Sequence, residues 1–444
     1  MKIRLSDHFG YGRLLRFTLP SIVMMIFTSI YSVVDGFFVS NFVGKTPFAA
    51  VSFIYPFLMI LGAPGFMFGT GGSALVSMTL GEGDAPRANR IFSMLIYVSL
   101  GCGIVLTVLG IALLRPIAQA LGAQGEMLEL SIRYGRVVLM ALPAFLLQME
   151  FQSFFITAER PHLGLGITVA SGVINMVLDA LFVAVLPWGL EGAAAATALS
   201  QVVGGVLPLI YFARPRNTSL LHLVPARVER RALTQTCFNG SSELMSNLSM
   251  SLVSMLYNVQ LLRYAGENGL SAYGVLMYVS MVFNAAFIGY SIGTAPVIGY
   301  HYGAGHTGEL KSLLRRSVVI ILGFSVAMFA MARLLAHPLS LLFVGYDAAL
   351  MDMTYAAFQI YAFAFLFMGL AIFASGFFTA LNDGGTSALI SFLRTLVFQT
   401  GAVLLLPLVL GLDGIWWSIV AAEVMAVAVS ACFLVTKRKK YHYF

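Results

Sequence analysis

Long apolar segments follow one another along almost the whole chain, and they limit its fold more than any other feature. Each exceeds the roughly 20 residues that a helix needs to cross the hydrocarbon core of a membrane. Only 10% of the residues are Asp, Glu, Lys or Arg, whereas a soluble domain carries about 25%. This excludes a soluble enzyme, a nucleic-acid-binding module and a disordered chain, and predicts an all-α polytopic membrane protein. The twelve predicted spans are residues 14–40, 48–79, 90–114, 130–158, 161–186, 190–213, 232–262, 271–299, 313–336, 351–381, 386–410 and 414–436.

The basic residues predict how these spans are oriented. Of the 26 Lys and Arg residues, 19 fall on the side that carries both chain ends, 6 fall on the other side, and Arg394 lies inside a span. Because cytoplasmic loops carry the excess of basic residues, we expect both ends to be cytoplasmic. The net charge of +7 is then an orientation signal and needs no nucleic-acid partner.

The two halves of the chain repeat each other at a constant offset of 222 residues. Six helices in each half predict two lobes of like orientation, related by an axis along the membrane normal, with a cavity between them. We predict an N-lobe at 1–213, a cytoplasmic linker at 214–231 and a C-lobe with a basic tail at 232–444. The corresponding residues include Gly44 with Gly266, Gly71 with Gly293, Gly81 with Gly303, and Gly-Leu-Glu-Gly at 189–192 with Gly-Leu-Asp-Gly at 411–414.

Two acidic residues of the first half are predicted to lie at one depth near the outer membrane surface. Asp35 and Asp179 are close to the outer ends of their spans, and Thr197 falls at a similar depth. Asn175 lies one helical turn from Asp179 on the same face. An ionised carboxylate inside a membrane costs about 2.5–3.5 kcal/mol, so it needs a partner, water or a proton. Such an oxygen-rich site would hold a monovalent cation or keep a proton, and either is a coupling ion.

The alternative is that these groups only hydrogen-bond neighbouring helices. Scaffolding of that kind would recur in both halves, yet the second half has Tyr257 where the first has Asp35, and Gly401 where the first has Asp179. We therefore favour a functional site. Glu243, near the midplane, and Tyr257 are candidates for contacting a cationic cargo or for carrying a second proton. Pairing of Glu243 with a neighbouring span is an equal alternative.

Three further residues inside the spans, Arg394, Glu150 and Pro20, also stand out. Arg394 is predicted to neutralise Glu423 or another acid as a structural pair, and Glu150 has no assigned role. Pro20 removes a backbone donor and should kink the first span, either as a static bend or as a two-state element. No metal-ligand spacing occurs in the sequence.

Several long motifs resemble the multidrug and toxic compound extrusion (MATE) family of transporters. The resemblance covers about residues 10–436. Its motifs are SIYSVVDGFFVSNFVG at 29–44, LGEGDAPRANRIF at 80–92, INMVLDALFV at 174–183, GLEGAAAATALSQ at 189–201, SSELMSNLSMSLVSMLYN at 241–258 and AYGVLMYVSMVFNAAFIGYSIGTAPVIGYHYGAGH at 272–306.

The resemblance implies twelve helices in two six-helix lobes and export driven by inward flow of H⁺ or Na⁺. Asp35, Asn175, Asp179 and Thr197 match the family's N-lobe cation site, and Glu243 matches an acid of the seventh span that is implicated in coupling or substrate binding. Further matches are Pro20, at the bend of the first span, and Tyr134, at a tyrosine linked to the cation site. A second C-lobe acid of some sodium-coupled members has no counterpart, because 351–381 contains only Asp352, near its outer end.

We therefore expect a secondary active antiporter of the bacterial cytoplasmic membrane that exports amphipathic, often cationic compounds. No cofactor is expected beyond the coupling ion, the partners are small molecules and membrane lipids, and we expect a monomer. One alternative is a lipid-linked oligosaccharide flippase of the same superfamily, which would need a cationic cavity. A membrane-embedded enzyme would need a nucleophile–base pair, which we do not find, and a passive channel would not explain acids in one lobe only. The sequence does not choose between H⁺ and Na⁺.

Overall fold

Helices make up nearly all of the chain in the computed structural model, which describes residues 2–444 apart from the side chain of Lys45. A helix satisfies its own backbone hydrogen bonds, as a membrane requires. Within the described residues, nine continuous segments are long and apolar enough to cross a membrane, and two further crossings are helix pairs bent by 57° and 49°. The spans are α1 (Tyr11–Val43), α2 (Thr46–Gly81), α3 (Ala85–Ala120), α4 (Gly125–Met140 and Leu142–Thr157), α5 (Pro161–Val185), α6 (Gly189–Ala213), α7 and α8 (together Arg230–Gly303), α9 (Thr307–Val344), α10 (Ala348–Tyr361 and Ala364–Ala380), α11 (Gly384–Leu410) and α12 (Leu412–Thr436); a short helix α13 (Arg438–Tyr441) follows.

The longest segment, Arg230–Gly303, contains two spans. As one helix it would be about 110 Å long, several times the roughly 30 Å of a membrane core. Gly266 interrupts it with φ 63° and ψ −149°, which are not helical values. Residues 230–265 therefore form α7 and residues 267–303 form α8, which gives twelve spans. The predicted all-α fold with twelve membrane helices in two six-helix lobes is confirmed.

The backbone bears out the predicted repeat at its tightest turns. Gly44, between α1 and α2, has φ 130°, and its counterpart Gly266, between α7 and α8, has φ 63°. Gly189 and Gly411, at the starts of α6 and α12, have φ 67° and 64°. A side chain is strained at such values, so these positions favour glycine. The segment between Ala213 and Arg230 is non-helical, and the exact limits of lobes and linker stay a prediction.

The lobes pack together at one end of the molecule, the end that carries the chain ends; we call it the terminal side, and the opposite end the distal side. A side chain on Gly81 of α2 would collide with the carbonyl oxygen of Tyr300 on α8. The repeat-related Gly303 would collide in the same way with the carbonyl of Met78. These mirrored contacts hold α2 against α8 at backbone distance, as small residues commonly do between membrane helices.

Towards the distal side the N-lobe and C-lobe have separate cores. The distal N-lobe core, with Val39, Ile54 and Leu58 at its centre, contains no C-lobe residue among those described. Tyr55 of α2 and Met255 of α7 leave 50% and 64% of their surfaces exposed. The lobe interface is therefore concentrated at the terminal side, and the molecule opens towards the distal side.

Candidate functional site

The structure brings together the four N-lobe residues that the sequence singled out. Asp35 of α1 lies beside Asp179 of α5 and Thr197 of α6. Asn175 is one turn below Asp179 on α5, towards the terminal side. Asp179 and Asn175 are 0% and 2% exposed, whereas Asp35 and Thr197 are only partly buried. The cluster lies near the distal ends of three helices, at the depth that the sequence predicted.

Irregular helical turns adjoin both acids. A π-helical turn, Val39–Val43, ends α1 one turn after Asp35, and another, Ala180–Val185, starts directly after Asp179. A π-turn shifts hydrogen bonding from the i−4 to the i−5 carbonyl and widens the helix, and such turns are frequent at functional sites. These turns position the two acids where α1 and α5 are least regular.

Five polar atoms of this cluster lack hydrogen-bond partners. Oδ1 of Asp35, both carboxylate oxygens of Asp179, Oδ1 of Asn175 and Oγ1 of Thr197 are all buried without one. Neither acid takes part in any of the ion pairs formed within residues 2–444. Two adjacent carboxylates without a basic neighbour repel each other in a medium of low dielectric constant, so the site is suited to bind a proton or a cation. Unpaired buried oxygens are also the ligands that such an ion would use.

Three tyrosines surround the two acids. Tyr134 of α4 is 4% exposed and lies beside Thr197 and within electrostatic range of both carboxyls. Tyr31 and Tyr55 also lie close to Asp35, and sequence reasoning missed both. Tyr31 precedes Asp35 by one helical turn, and that spacing is the signal that could have found it. Tyr55 is on another helix and gives no such signal.

The remaining predicted residues lie outside this cluster. Glu243 is on α7, one turn after Gly240, which packs against Met67 of α2 at the lobe interface. Its carboxylate is in none of the hydrogen bonds or ion pairs found within residues 2–444, and the residue is partly exposed. Tyr257 is 1% exposed inside the C-lobe, where it stacks on Tyr273 at 5.4 Å. About 21 Å of helix separates Glu243 from Tyr257, so the structure does not bring them together.

Pro20 lies at the lobe contact and not at the acid cluster. It is buried within the continuous helix Tyr11–Phe38, next to Ser21, whose backbone carbonyl approaches Gly289 of α8. Fifteen residues, or about 22 Å of helix, separate it from Asp35. Whether it kinks α1 or switches between two states stays a prediction.

The C-lobe contains a charge-neutral pair at positions other than the repeat equivalents of the two acids, which are Tyr257 and Gly401. Nε of Arg394 donates to Glu423 at 2.9 Å, and the guanidinium makes a second bond to the other carboxylate oxygen at 2.9 Å. Glu423 is 2% exposed and Arg394 17%. Their predicted pairing is confirmed, and a bidentate bond is the strongest form of such a pair. Arg394 lies in a third π-helical turn, Leu393–Phe398.

A second polar cluster of the N-lobe escaped the sequence analysis. Gln148 of α4 donates to Ser171 of α5 at 3.3 Å, and Ser171 donates to the carbonyl of Ser200 on α6 at 2.7 Å. Small polar residues inside apolar helices are common, so the sequence alone did not distinguish these from scaffolding.

Known proteins resemble this chain in sequence and in fold. A model of the MatE family matches residues 20–181 and 244–402, which is more than half of the chain and covers one segment in each lobe. The chain belongs to the MatE family. The resemblance inferred from the motifs is thereby confirmed.

Two relatives and one solved structure are similar over nearly the full chain. The multidrug export protein MepA of Staphylococcus aureus is 23% identical over 93% of this chain and 91% of its own length. MepA of Staphylococcus saprophyticus is 24% identical over 95% of this chain and 92% of its own. A structure described as the outward-facing conformation of a multidrug resistance MATE family transporter superposes with a TM-score of 0.93, at 23% identity and 98% coverage of both chains.

Proposed function

We propose that this MatE protein is a secondary active antiporter that exports amphipathic, often cationic compounds in exchange for H⁺ or Na⁺. The observation that carries the proposal is the pair of adjacent, unpaired carboxyls Asp35 and Asp179 in the N-lobe. In the C-lobe the repeat equivalents of these acids are Tyr257 and Gly401, and Glu423 is bound to Arg394, so the described part of the C-lobe has no such adjacent pair of free carboxyls. The printed names of the staphylococcal relatives support multidrug export.

The terminal side is proposed to be cytoplasmic, in a bacterial inner membrane, because the predicted basic excess lies there. The partners are then membrane lipids and small molecules, with no cofactor, and the protein acts as a monomer. In this orientation the distal opening faces outward, and Asp35, partly exposed, is reached first by ions from outside.

The proposed cycle uses the charge of the two acids. In the outward-facing state a cation or proton binds between Asp35 and Asp179, with Asn175, Thr197 and Tyr134 as further ligands or hydrogen-bond partners. Binding removes the carboxylate repulsion and changes the hydrogen bonds of α1, which weakens the hold on cargo. The ion-loaded carrier turns inward, releases the ion and takes up new cargo, so ion and cargo oppose each other's binding.

Glu243 is the proposed contact for a cationic cargo. It lies at the base of the cleft between the lobes, partly exposed and without a basic partner in the described chain. A flippase for an anionic lipid-linked oligosaccharide would need free basic groups in this cavity, whereas Arg394 is already bound to Glu423. This favours export of cations over the flippase alternative.

Transport in proteoliposomes, with proton and sodium gradients imposed separately, tests the proposal. We expect one gradient to drive ethidium accumulation and its collapse to abolish it. Asp35→Asn should insert normally and lose coupled transport. Asp352→Asn, the same change at an exposed acid of α10, is the matched control and should retain it. Transport driven by neither gradient, or full transport by Asp35→Asn, would refute the assignment.

A further inference from the structure

A buried polar stripe runs along α5 from the acid cluster towards the terminal side. Asp179, Asn175, Ser171 and Thr168 follow each other at spacings of three or four residues, so they share one helix face. Their exposed fractions are 0%, 2%, 2% and 4%. The stripe covers about 16 Å along the helix axis, or about half of the membrane core.

Polar groups of α4 and α6 join the stripe at its middle. Ser171 accepts from Gln148 and donates to the carbonyl of Ser200. The hydroxyl of Ser200 in turn donates to the carbonyl of Thr197 at 2.8 Å, which leads back to the acid cluster. Three helices of the N-lobe therefore enclose one continuous polar band.

The band ends at a small cavity inside the N-lobe. The cavity measures ≈ 10 Å³ and is lined by Gln148, Gln152, Thr168, Gly204 and Pro208, with Phe151, Phe155, Gly164 and Ile167 completing its wall. That volume suits about one water molecule. Pro208 has no N–H that could bond the carbonyl of Gly204 within the helix.

Unpartnered polar atoms lie at both ends of the band. Nε2 of Gln152 is buried without a partner at the cavity, as are Oδ1 of Asn175 and the oxygens of Asp179 above it. Buried groups of this kind are normally satisfied by ordered water, and Thr168 at the cavity wall offers its hydroxyl as a further partner for such a water.

Phenylalanines close the band on the terminal side. Phe212, one turn beyond Pro208 on α6, packs against Phe151 at 5.5 Å and Phe155 at 5.0 Å. All three are at most 2% exposed. In the conformation described here the band is thus shut from the terminal side, as a carrier open to the distal side requires.

We propose that this band holds water and is the exit by which the coupling proton leaves Asp179 for the terminal side. The inference rests on the proposed antiport. The carboxyl O–H bond breaks, the proton passes to water in the band, and it leaves as hydronium when the phenylalanines separate. The coupling ion is then H⁺, because a proton passes between water and hydroxyl groups by exchange of O–H bonds, whereas a Na⁺ ion would itself have to pass along a band whose cavity of ≈ 10 Å³ holds about one water.

Glu150 is a buried acid close to the band in sequence, and it lies outside the band. It is on α4 between Gln148 and Gln152 in sequence, but its carboxyl is next to Ser99 of α3 and its backbone packs against Gly69 of α2. Both its oxygens are also unpartnered. The variant Glu150→Gln therefore distinguishes a proton route through the band from a route through Glu150.

The test compares two kinds of transport in proteoliposomes. Gln152→Met with Thr168→Val removes the polar partners at the cavity with little change in volume. We expect proton-driven ethidium transport to fall at least about tenfold, or about 1.4 kcal/mol in barrier. Exchange of labelled for unlabelled ethidium at equal pH needs no ion release and should be unchanged. Thr168→Ser, which keeps the hydroxyl, and Thr157→Val, a buried hydroxyl of α4 that bonds Ser153, should transport normally.

Each other outcome overturns the inference. Unchanged proton-driven transport in the double variant would show that the band carries no protons, while a loss of exchange as well would show a structural role. If Glu150→Gln reduces proton-driven transport as much as the double variant does, the proton route has to be assigned to Glu150 and α3 instead. If ethidium transport by the wild-type protein is driven by Na⁺ alone, the proposed proton exit is wrong but the proposed antiport stands. If neither ion drives that transport, the proposed antiport itself is wrong.

Discussion

At the scale of single residues, Asp35 and Asp179 in the N-lobe differ from Glu423 in the C-lobe because only Glu423 pairs with a basic residue. Asp35 and Asp179 are unpaired, which makes them available to an exchangeable ion. Glu423 instead accepts two hydrogen bonds from the guanidinium of Arg394. One fold therefore contains two unpaired acids in one lobe and a bidentate ion pair in the other.

This difference predicts how the C-lobe pair responds to mutation. Arg394→Met leaves the Glu423 carboxylate buried without a partner and should destabilise the protein by about 3–5 kcal/mol. The double variant Arg394→Met/Glu423→Met replaces both charges by apolar groups and should be close to wild type. Thermal unfolding in detergent measures both. Arg115→Met, which breaks an exposed pair with Glu129 (45% and 51% exposed), is the control and should change nothing measurable. A double variant as unstable as Arg394→Met would contradict this account.

At the scale of elements, the C-terminal tail is fastened to the start of α11. The hydroxyl of Tyr441 donates to Asp383 at 2.7 Å, and Lys437 lies 3.4 Å from the same oxygen. Asp383 also caps α11 through the backbone of Thr386. Burial alone would raise the pKa of Asp383, but the hydrogen bonds from Tyr441 and Thr386 and the charge of Lys437 outweigh it and hold the pKa below its ordinary value.

Because the pKa of Asp383 is lowered in the folded protein, its carboxylate stabilises the docked tail at pH values above its ordinary pKa. This stabilisation is lost as the pH falls through the lowered pKa. We therefore expect a spin label at His442, an exposed position, to be immobile at neutral pH and to gain mobility only below about pH 4. Tyr441→Phe removes the donated bond and should increase the mobility already at pH 7. Equal mobility of this variant and the parent across the pH range would show that the tail is held by other contacts.

The elements also show what a sequence can and cannot predict. Gly44 and Gly189 recur at Gly266 and Gly411, and the turns that need them recur with them, because a positive φ restricts the residue type. Asp35 and Asp179 were predictable because a charge inside an apolar helix is costly wherever it occurs. Tyr55 was not, because a tyrosine among apolar residues breaks no pattern. The cavity near Gln152 depends on how three helices pack, which no single helix encodes.

At the scale of the whole molecule, the internal repeat places glycines where the lobes meet. Gly81 and Gly303 are equivalent, and each packs against the helix that carries the other. A near-symmetric contact of this kind allows the two lobes to rotate against each other about an axis through the contact. Alternating access then requires this contact to separate when the distal side closes.

A cross-link between α2 and α8 would test this movement. A side chain on Gly299 would collide with the hydroxyl of Ser77, so cysteines at these two positions are close enough for a disulfide after small adjustment. In a background without Cys102, Cys237 and Cys432, which are free thiols, we expect oxidation of Ser77→Cys/Gly299→Cys to abolish ethidium transport and reduction to restore it. The single-cysteine variants should be insensitive to oxidant. Full transport by the cross-linked protein would show that the lobes do not part at the terminal side, and the rocking movement would have to be abandoned.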